Sequence, residues 1–542
     1  MRSELVLGDE AIALAALDAG IAGAFSYPGT PATEIFEAIE AAAVPDVSAL
    51  WSANEKVAFE EALGMSYSGR RALVSMKHVG LNVAADPFMS SALPGVNGGL
   101  VLVVADDPGM HSSQNEQDSR FYGEFARVPL FEPSDQQQCY DLTREAFELS
   151  ERLALPVMIR LVTRLAHSRA IVRRAPGVGP SGDGRAPPPG DAEARRDPKR
   201  WTLIPANARR RYQHLLDLQA ELERHADESP WNALTLAGPR GIIACGIGVN
   251  YVREVLGEGP SGGARDSILE LRVYPPPRGK LRQLVDHCED ILVVEDGQPF
   301  IEARLGGLLG LPGKTIRGRL SGDLPEAGEL TPDSVARALG RGGHASFDAV
   351  RDIPGRPPAL CKGCPHIDTF GALTEAVAGF EHPILFSDIG CYTLGCLPPY
   401  EAVHSAVDMG ASIAMASGAA RAGAHPVLCT IGDSTFTHSG MTPLIGAAHY
   451  DANMTVIILD NATTGMTGQQ DSLAHGPALV QLLEGLGVAR EHLHVIEPLA
   501  RHKLDFVALL RKEIAHPGLS VIVAERACIH VRRKQAAGAA RE

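Results

Sequence analysis

Short apolar runs ending in Gly, Pro or Asp alternate with Ala-rich stretches along most of this 542-residue chain. Strands that leave through such turns into helices build a parallel sheet, because each crossover helix must cover one of its faces. A first block runs from about residue 6 to 172, with strands expected over 72–76, 99–105 and 156–162. A polar helix over 206–225 leads to a second block, which opens at Gly241 with Ile242-Ile243-Ala244-Cys245 and continues through 269–273 and 291–294. The third block spans about 359–532. The expected fold class is α/β, with three doubly wound parallel-sheet domains over residues 1–172, 236–345 and 355–535. Residues 173–235 form a linker and connecting helix, and 536–542 a tail. The stretch 173–200 is rich in Pro, Gly, Arg and Asp and poor in large apolar residues, so it reads as a mobile linker. Residues 341–358 read as a second connector.

With 45% apolar and 21% charged residues, the composition excludes a disordered chain, a collagen-like repeat and a disulfide-stapled miniprotein. Fifty Lys and Arg against 65 Asp and Glu leave a formal charge of −15, which disfavours nucleic acid and anionic membrane as partners. Small substrates or basic protein surfaces suit it better. Glu4, Asp9 and Glu10 interrupt any apolar run at the N-terminus, and no stretch reaches the roughly 18 apolar residues of a spanning helix. The expected location is the cytoplasm. The nine cysteines are then expected to be thiols, catalytic groups or metal ligands rather than disulfides.

Residues 426–431 read as a strand running into Gly432-Asp433-Ser434, followed by a helix over 440–449 and a strand over 454–459 that ends at Asp460-Asn461-Ala462-Thr463. This places Asp433 and Asn461 at the carboxyl ends of adjacent parallel strands, where open α/β sheets bind ligands. A divalent ion such as Mg²⁺ takes a few protein oxygens and completes its shell with phosphate oxygens. Asp433 supplies a charge, Asn461 a neutral oxygen and Thr463 a carbonyl, while Gly432 lets the backbone approach. Gly-Asp-Ser alone is a common surface turn; the second strand and the Asn-x-Thr give it meaning. By contrast, Gly246-Ile247-Gly248 lacks the rest of a dinucleotide fingerprint and reads as a strand-to-helix turn.

Gly432-Asp433-Ser434 followed by Asp460-Asn461 resembles the thiamine diphosphate motif. The strings Ser26-Tyr27-Pro28-Gly29-Thr30-Pro31, Trp51-Ser52-Ala53-Asn54-Glu55-Lys56, Ser75-Met76-Lys77-His78-Val79-Gly80-Leu81-Asn82, Cys361-Lys362-Gly363-Cys364-Pro365-His366 and Asp388-Ile389-Gly390-Cys391-Tyr392 resemble the alpha subunits of indolepyruvate:ferredoxin oxidoreductases, in matching order over nearly the whole chain. The resemblance implies a pyrimidine-binding first block, a transketolase C-terminal-like second block and a diphosphate-binding third block. One thiamine diphosphate would then bridge Glu55 and the magnesium pair Asp433 and Asn461. It makes Glu55 the carboxyl against the aminopyrimidine, although by itself Glu55 is one of 65 acidic residues beside a helix start. Thr30 becomes the expected hydrogen-bond donor to a 2-oxo acid, and Lys77 and His78 face its carboxylate or a developing oxyanion. Ser434, Gly390 and Cys391 join the cofactor-binding set. Residues 112–120 also match a family stretch, where Glu116 and Arg120 are expected to pair with each other.

Cys361 and Cys364 form a Cys-x-x-Cys, compatible with a redox pair, half a zinc site or half an iron–sulfur site. In the layout of the related one-cluster oxoacid:ferredoxin oxidoreductases, Cys391 and Cys528 complete a set for one [4Fe–4S] cluster, with Cys396 competing with Cys391. Cys139, Cys245, Cys288 and Cys429 read as core residues. The implied activity is oxidative decarboxylation of a 2-oxo acid, such as indolepyruvate or phenylpyruvate, to an acyl-coenzyme A. The implied partners are a gamma-like beta subunit in a hetero-oligomer and ferredoxin or another electron carrier. The sequence ends soon after Cys528 without a ferredoxin-like extension, so electrons are expected to leave directly at the cluster or through a partner. The rival readings are a non-oxidative decarboxylase releasing an aldehyde and a non-catalytic cofactor-binding regulator.

Overall fold

The structure, a computed structural model of the chain, describes residues 3–175, 197–257, 266–342 and 357–539, with side chains through residue 534. Most of the expected linker 173–200 and of the connector 341–358 lies outside the described residues. Two compact units are present, residues 1–349 and 350–542. No helix among the described residues is long and apolar enough to cross a membrane.

The first unit holds a seven-stranded sheet in the order Val273–Tyr274, Leu130–Phe131, Val157–Val162, Leu100–Asp106, Ala72–Lys77, Gly23–Ser26, Ser48–Trp51. All neighbours are parallel except the first pair. The central strand Leu100–Asp106 is buried at every position, as a strand covered by helices on both faces must be. A second, five-stranded sheet runs Thr315–Arg317, Asp290–Val294, Arg240–Cys245, Asp266–Leu271, Leu234–Thr235, with only the last strand antiparallel. The apolar run 269–273, which reads as one strand in sequence, is divided at Arg272. Its first part stays in the five-stranded sheet, and Val273–Tyr274 crosses to the edge of the seven-stranded one. The two sheets therefore share a single apolar core.

Buried ion pairs reinforce that junction. Arg120 Nη1 donates to Glu295 Oε2 at 2.8 Å, Arg160 Nε to Asp106 Oδ2 at 2.6 Å, and Arg160 Nη2 to the Asp296 carbonyl at 2.8 Å. Arg120 also pairs with Asp118, so the expected Glu116–Arg120 pair is not the one that forms. Glu116 instead accepts from the backbone N–H groups of Gly109 and Gly328. Arg120 is pulled inward because a buried guanidinium needs more than one carboxylate around it.

The second unit is built on six parallel strands in the order Ser405–Ala406, Ile384–Ser387, Val427–Gly432, Met454–Asp460, Leu519–Glu525, Leu493–Ile496. Alternate residues of its strands enter two separate cores. Val427, Cys429 and Ile431 face one side, and Leu428, Ile457 and Leu459 the other. From Ile384–Ser387 the chain goes first to the strand on one flank and then to Val427–Gly432 on the other, so the strand order reverses there. The carboxyl ends beside such a reversal form the crevice in which open α/β sheets hold ligands.

Candidate cofactor and metal centres

In the first unit, Glu55 opens the helix Glu55–Tyr67, whose N-cap Asn54 accepts from the Val57 N–H at 2.9 Å. Glu55 is 5% exposed. A Cβ added at Gly80 would meet Glu55 Oε1 at 2.6 Å, so the carboxyl rests against bare glycine backbone. Gly80 sits in the helix His78–Val83, which follows the strand Ala72–Lys77, and that packing brings Lys77 and His78 to the same region.

Lys77 Nζ donates to the Ser112 carbonyl at 3.0 Å; burial lowers its pKa, against the pull of Asp107 and Glu55. His78 Nε2 lies 3.2 Å from both the backbone and side-chain oxygens of Asn115, while its Nδ1 is buried with no hydrogen-bond partner among the described residues. The Thr30 carbonyl accepts from Ser112 Oγ at 3.3 Å. Asp107 organises this loop by accepting from the Ser112 N–H, Ser113 Oγ and Thr163 Oγ1 at 2.8, 2.7 and 2.8 Å. Burial acts to raise the Asp107 pKa, but those hydrogen bonds and the Lys77 charge outweigh it and hold it below the ordinary carboxylate value. Asp107 carries no signal in sequence that marks it, and Gly80, although inside a quoted string, shows no sign there of its contact with Glu55, since both roles exist only through tertiary contact.

In the second unit, register sets Gly432 opposite Leu459, so Asp433 and Asn461 leave neighbouring strand ends. Asp433 is 1% exposed, and its Oδ2 has no hydrogen-bond partner among the described residues. Burial, then the charge of Asp460, pushes its pKa up to about 7. An orphaned buried carboxylate oxygen of this kind suits a cation. Ser434 Oγ and Thr464 Oγ1 are 2.8 Å apart and tie the two loops together. Asn461 Oδ1 accepts from the Thr463 N–H at 3.0 Å, and its Nδ2 lies 3.4 Å from His366 Nε2. Burial drops the His366 pKa to about 4, keeping the ring neutral and able to accept from that amide. Gly390 and Gly432 both pack against the Tyr392 ring, where an added Cβ would meet Cε1 at 2.5 and 2.8 Å. Asp388, at the end of its strand, accepts from the N–H and Oγ of Ser412, and burial raises its pKa to about 6.

Cys361, Cys364, Cys391 and Cys528 gather beside these loops. The Cys364 N–H donates to the Cys361 carbonyl at 2.9 Å, and the Cys528 N–H to the Asn461 carbonyl at 3.0 Å. A Cβ on Gly465 would stand 3.4 Å from Cys391 Sγ. Burial pushes both Cys364 and Cys391 up to about 11, and the other cysteines of the quartet push in the same direction. Thiols that resist ionisation together become thiolates when a metal centre binds. Cys396 is exposed at the far end of the short helix Cys391–Cys396. Cys139, Cys245, Cys288 and Cys429 lie in the apolar cores, as expected.

A parallel-sheet fold with these two groups of residues defines a thiamine diphosphate-binding class. Residues 14–179 match the family described as "Pyruvate flavodoxin/ferredoxin oxidoreductase, thiamine diP-bdg", and residues 388–524 match "Thiamine pyrophosphate enzyme, C-terminal TPP binding domain". The indolepyruvate oxidoreductase subunit IorA of Archaeoglobus fulgidus is 37% identical over 96% of this chain and 86% of its own length. That of Methanothermobacter thermautotrophicus is 37% identical over 97% and 86%. The chain belongs to this family of thiamine diphosphate-dependent 2-oxoacid oxidoreductases. Among solved structures, a 2-oxoglutarate:ferredoxin oxidoreductase from Magnetococcus marinus shares the fold, with a TM-score of 0.50 and 16% identity over 62% of this chain and 65% of that one.

Proposed function

We propose that this chain decarboxylates an aryl 2-oxo acid such as indolepyruvate or phenylpyruvate oxidatively. The acyl group would pass to coenzyme A and the electrons through one [4Fe–4S] cluster to ferredoxin or another carrier. The observation that carries this reading is the hydrogen bond from the Cys528 N–H to the Asn461 carbonyl, which ties one cysteine of the quartet to the loop that bears the candidate magnesium ligands. A cluster held by these cysteines would lie near the residues proposed to hold the magnesium ion and would supply a one-electron acceptor. The names of the relatives support the substrate class and the need for a further subunit.

Asp433, Asn461 and Thr463 would hold Mg²⁺, with Ser434, Gly432 and Gly390 lining the diphosphate approach, and Cys361, Cys364, Cys391 and Cys528 would hold the cluster. Bound thiamine diphosphate supplies a nucleophilic carbon and an electron sink for loss of CO₂. Glu55, shielded from water by Gly80 and its helix, would present its carboxyl to the aminopyrimidine. The Lys77 ammonium, fixed on the Ser112 carbonyl, offers a charge to the substrate carboxylate. His78 Nδ1 is oriented by the contact of Nε2 with Asn115 and is available to the oxygen on which charge develops. The Thr30 hydroxyl would donate to the 2-oxo group from a loop whose backbone Ser112 holds at the Thr30 carbonyl.

The test is anaerobic purification of the chain with its partner subunit, followed by metal analysis and viologen reduction with indolepyruvate and coenzyme A. About four iron and four sulfide per chain are expected, falling in Cys391→Ser and unchanged in Cys396→Ser. Glu55→Gln should lower turnover by about 10²-fold or more with cofactor affinity retained, whereas Asp433→Ala should lose the cofactor. Zinc in place of iron, or aldehyde release without viologen reduction, would replace this reading with the non-oxidative one.

A further inference from the structure

A second group of metal-type donors lies in the first unit, apart from the residues above. Asp9 stands in the first turn of the helix Gly8–Asp18, Glu34 in the first turn of Thr33–Ala42, and His167 ends Thr163–His167. One carboxylate oxygen from each acid and one ring nitrogen of His167 all lie within 4.8 Å of one another. Asp9 is fully buried, and neither of its oxygens has a hydrogen-bond partner among the described residues. Glu34 Oε2 is buried in the same condition, with His167 Nε2 3.4 Å away. Asp9 is a fully buried carboxyl with no donor, and Glu34 has His167 beside it, which lowers the Glu34 pKa; an unpaired buried carboxylate such as Asp9 is costly.

Burial, then the charges of Glu34 and Glu10, raises the Asp9 pKa well above the ordinary carboxylate value, a cost that either a proton or a cation relieves. A cation between Asp9 and Glu34 relieves it at the observed spacing. Metal–ligand bonds of ~2.0–2.2 Å put neighbouring donors roughly 3–4.5 Å apart. The donors are also held in advance, because a Cβ on Gly8 would meet the Leu165 carbonyl at 2.3 Å, so the first helix is packed directly on the turn that carries His167. The side chains of Glu34 and His167 are 36% and 34% exposed, which leaves an opening for the ion and its waters.

We propose that Asp9, Glu34 and His167 bind a divalent transition-metal ion. Two carboxylates with an imidazole suit the range from Mn²⁺ to Zn²⁺ rather than Mg²⁺ or Ca²⁺, which prefer oxygen alone. The ion staples the first turn of Thr33–Ala42 to two other helices. That turn continues directly from the Thr30 loop, where the Gly29 N–H donates to Thr33 Oγ1 at 3.0 Å. The site would therefore stiffen the loop from beneath without touching substrate.

The full chain, stripped with chelator and reloaded with thiamine diphosphate and Mg²⁺, is titrated with Mn²⁺ by electron paramagnetic resonance and, separately, with Zn²⁺ by thermal melting. Wild type should bind one Mn²⁺ more than Asp9→Asn or His167→Ala, with affinity in the variants falling about 100-fold or more. The Tm of wild type should rise with either ion, and that of Asp9→Asn should not. Metal-free Asp9→Asn should melt no lower than wild type, since it replaces a buried carboxyl that makes no hydrogen bond with a neutral isostere, so misfolding will not mask the result. Equal Mn²⁺ stoichiometry in all three proteins, or no Asp9-dependent response to either ion, would overturn the assignment.

Discussion

Gly80 shows how one missing side chain can govern a catalytic group. Its Cα hydrogen occupies the place where a methyl carbon would stand 2.6 Å from Glu55 Oε1 and 2.9 Å from Cδ, inside any tolerable contact. Gly80→Ala must therefore push the carboxyl aside or bend the helix His78–Val83. Turnover in the viologen assay should fall by about 10²-fold, as expected when a proton-transfer group is displaced by an ångström, while thiamine diphosphate titration changes only a few-fold. Retained activity would mean that the position of Glu55 does not matter. Sequence displays Glu55, Asp433 and Asn461 as parts of motifs, because ligand chemistry fixes their type and spacing. It shows Gly80 and His366 only as members of longer strings and Asp107 not at all, and for none of the three does it show the partners, which are 25, 95 and 5 to 56 residues away.

At the scale of elements, the sheet edge of the second unit depends on one carboxylate. Glu513, on the helix Lys503–Ile514, accepts from His492 and His494 at 2.8 Å each and from Ser520 Oγ at 2.9 Å, joining that helix to two strands. Burial acts to raise its pKa, but the hydrogen bonds from His492, Lys512, Ser520 and His494 dominate and lower it from 4.5 to about 2. A carboxyl depressed in the fold contributes stability that is present above 4.5 and is lost as pH falls toward 2. Glu513→Gln should accordingly lower Tm by roughly 2–4 °C at pH 6, with the deficit shrinking toward pH 3. A deficit independent of pH would assign the effect to packing. Element identity was mostly legible here, since the strands expected over 426–431 and 454–459 form as Val427–Gly432 and Met454–Asp460. The helix expected over 440–449 starts at Met441 after a wider turn, Phe436–Gly440, a local widening that apolar periodicity cannot reveal.

At the scale of the whole molecule, the division into compact units follows from contacts that no local pattern carries. The apolar run 269–273 looks like one strand, yet its halves serve different sheets, and the crossing at Arg272 is what fuses the first two sequence blocks into residues 1–349. The Arg120–Glu295 and Arg160–Asp296 contacts span the same junction. Arg120→Ala would strand Glu295 as a buried charge without its countercharge and leave Asp118 with Arg160 alone, a loss of about 3–5 kcal/mol in denaturant unfolding. If the two sheets are one cooperative block, that loss must appear in both. Hydrogen exchange should show falling protection in Leu100–Asp106 and in Arg240–Cys245 together, even though Arg120 belongs to neither strand. Loss confined to the seven-stranded sheet would mean that the shared core packs the sheets together without coupling their unfolding.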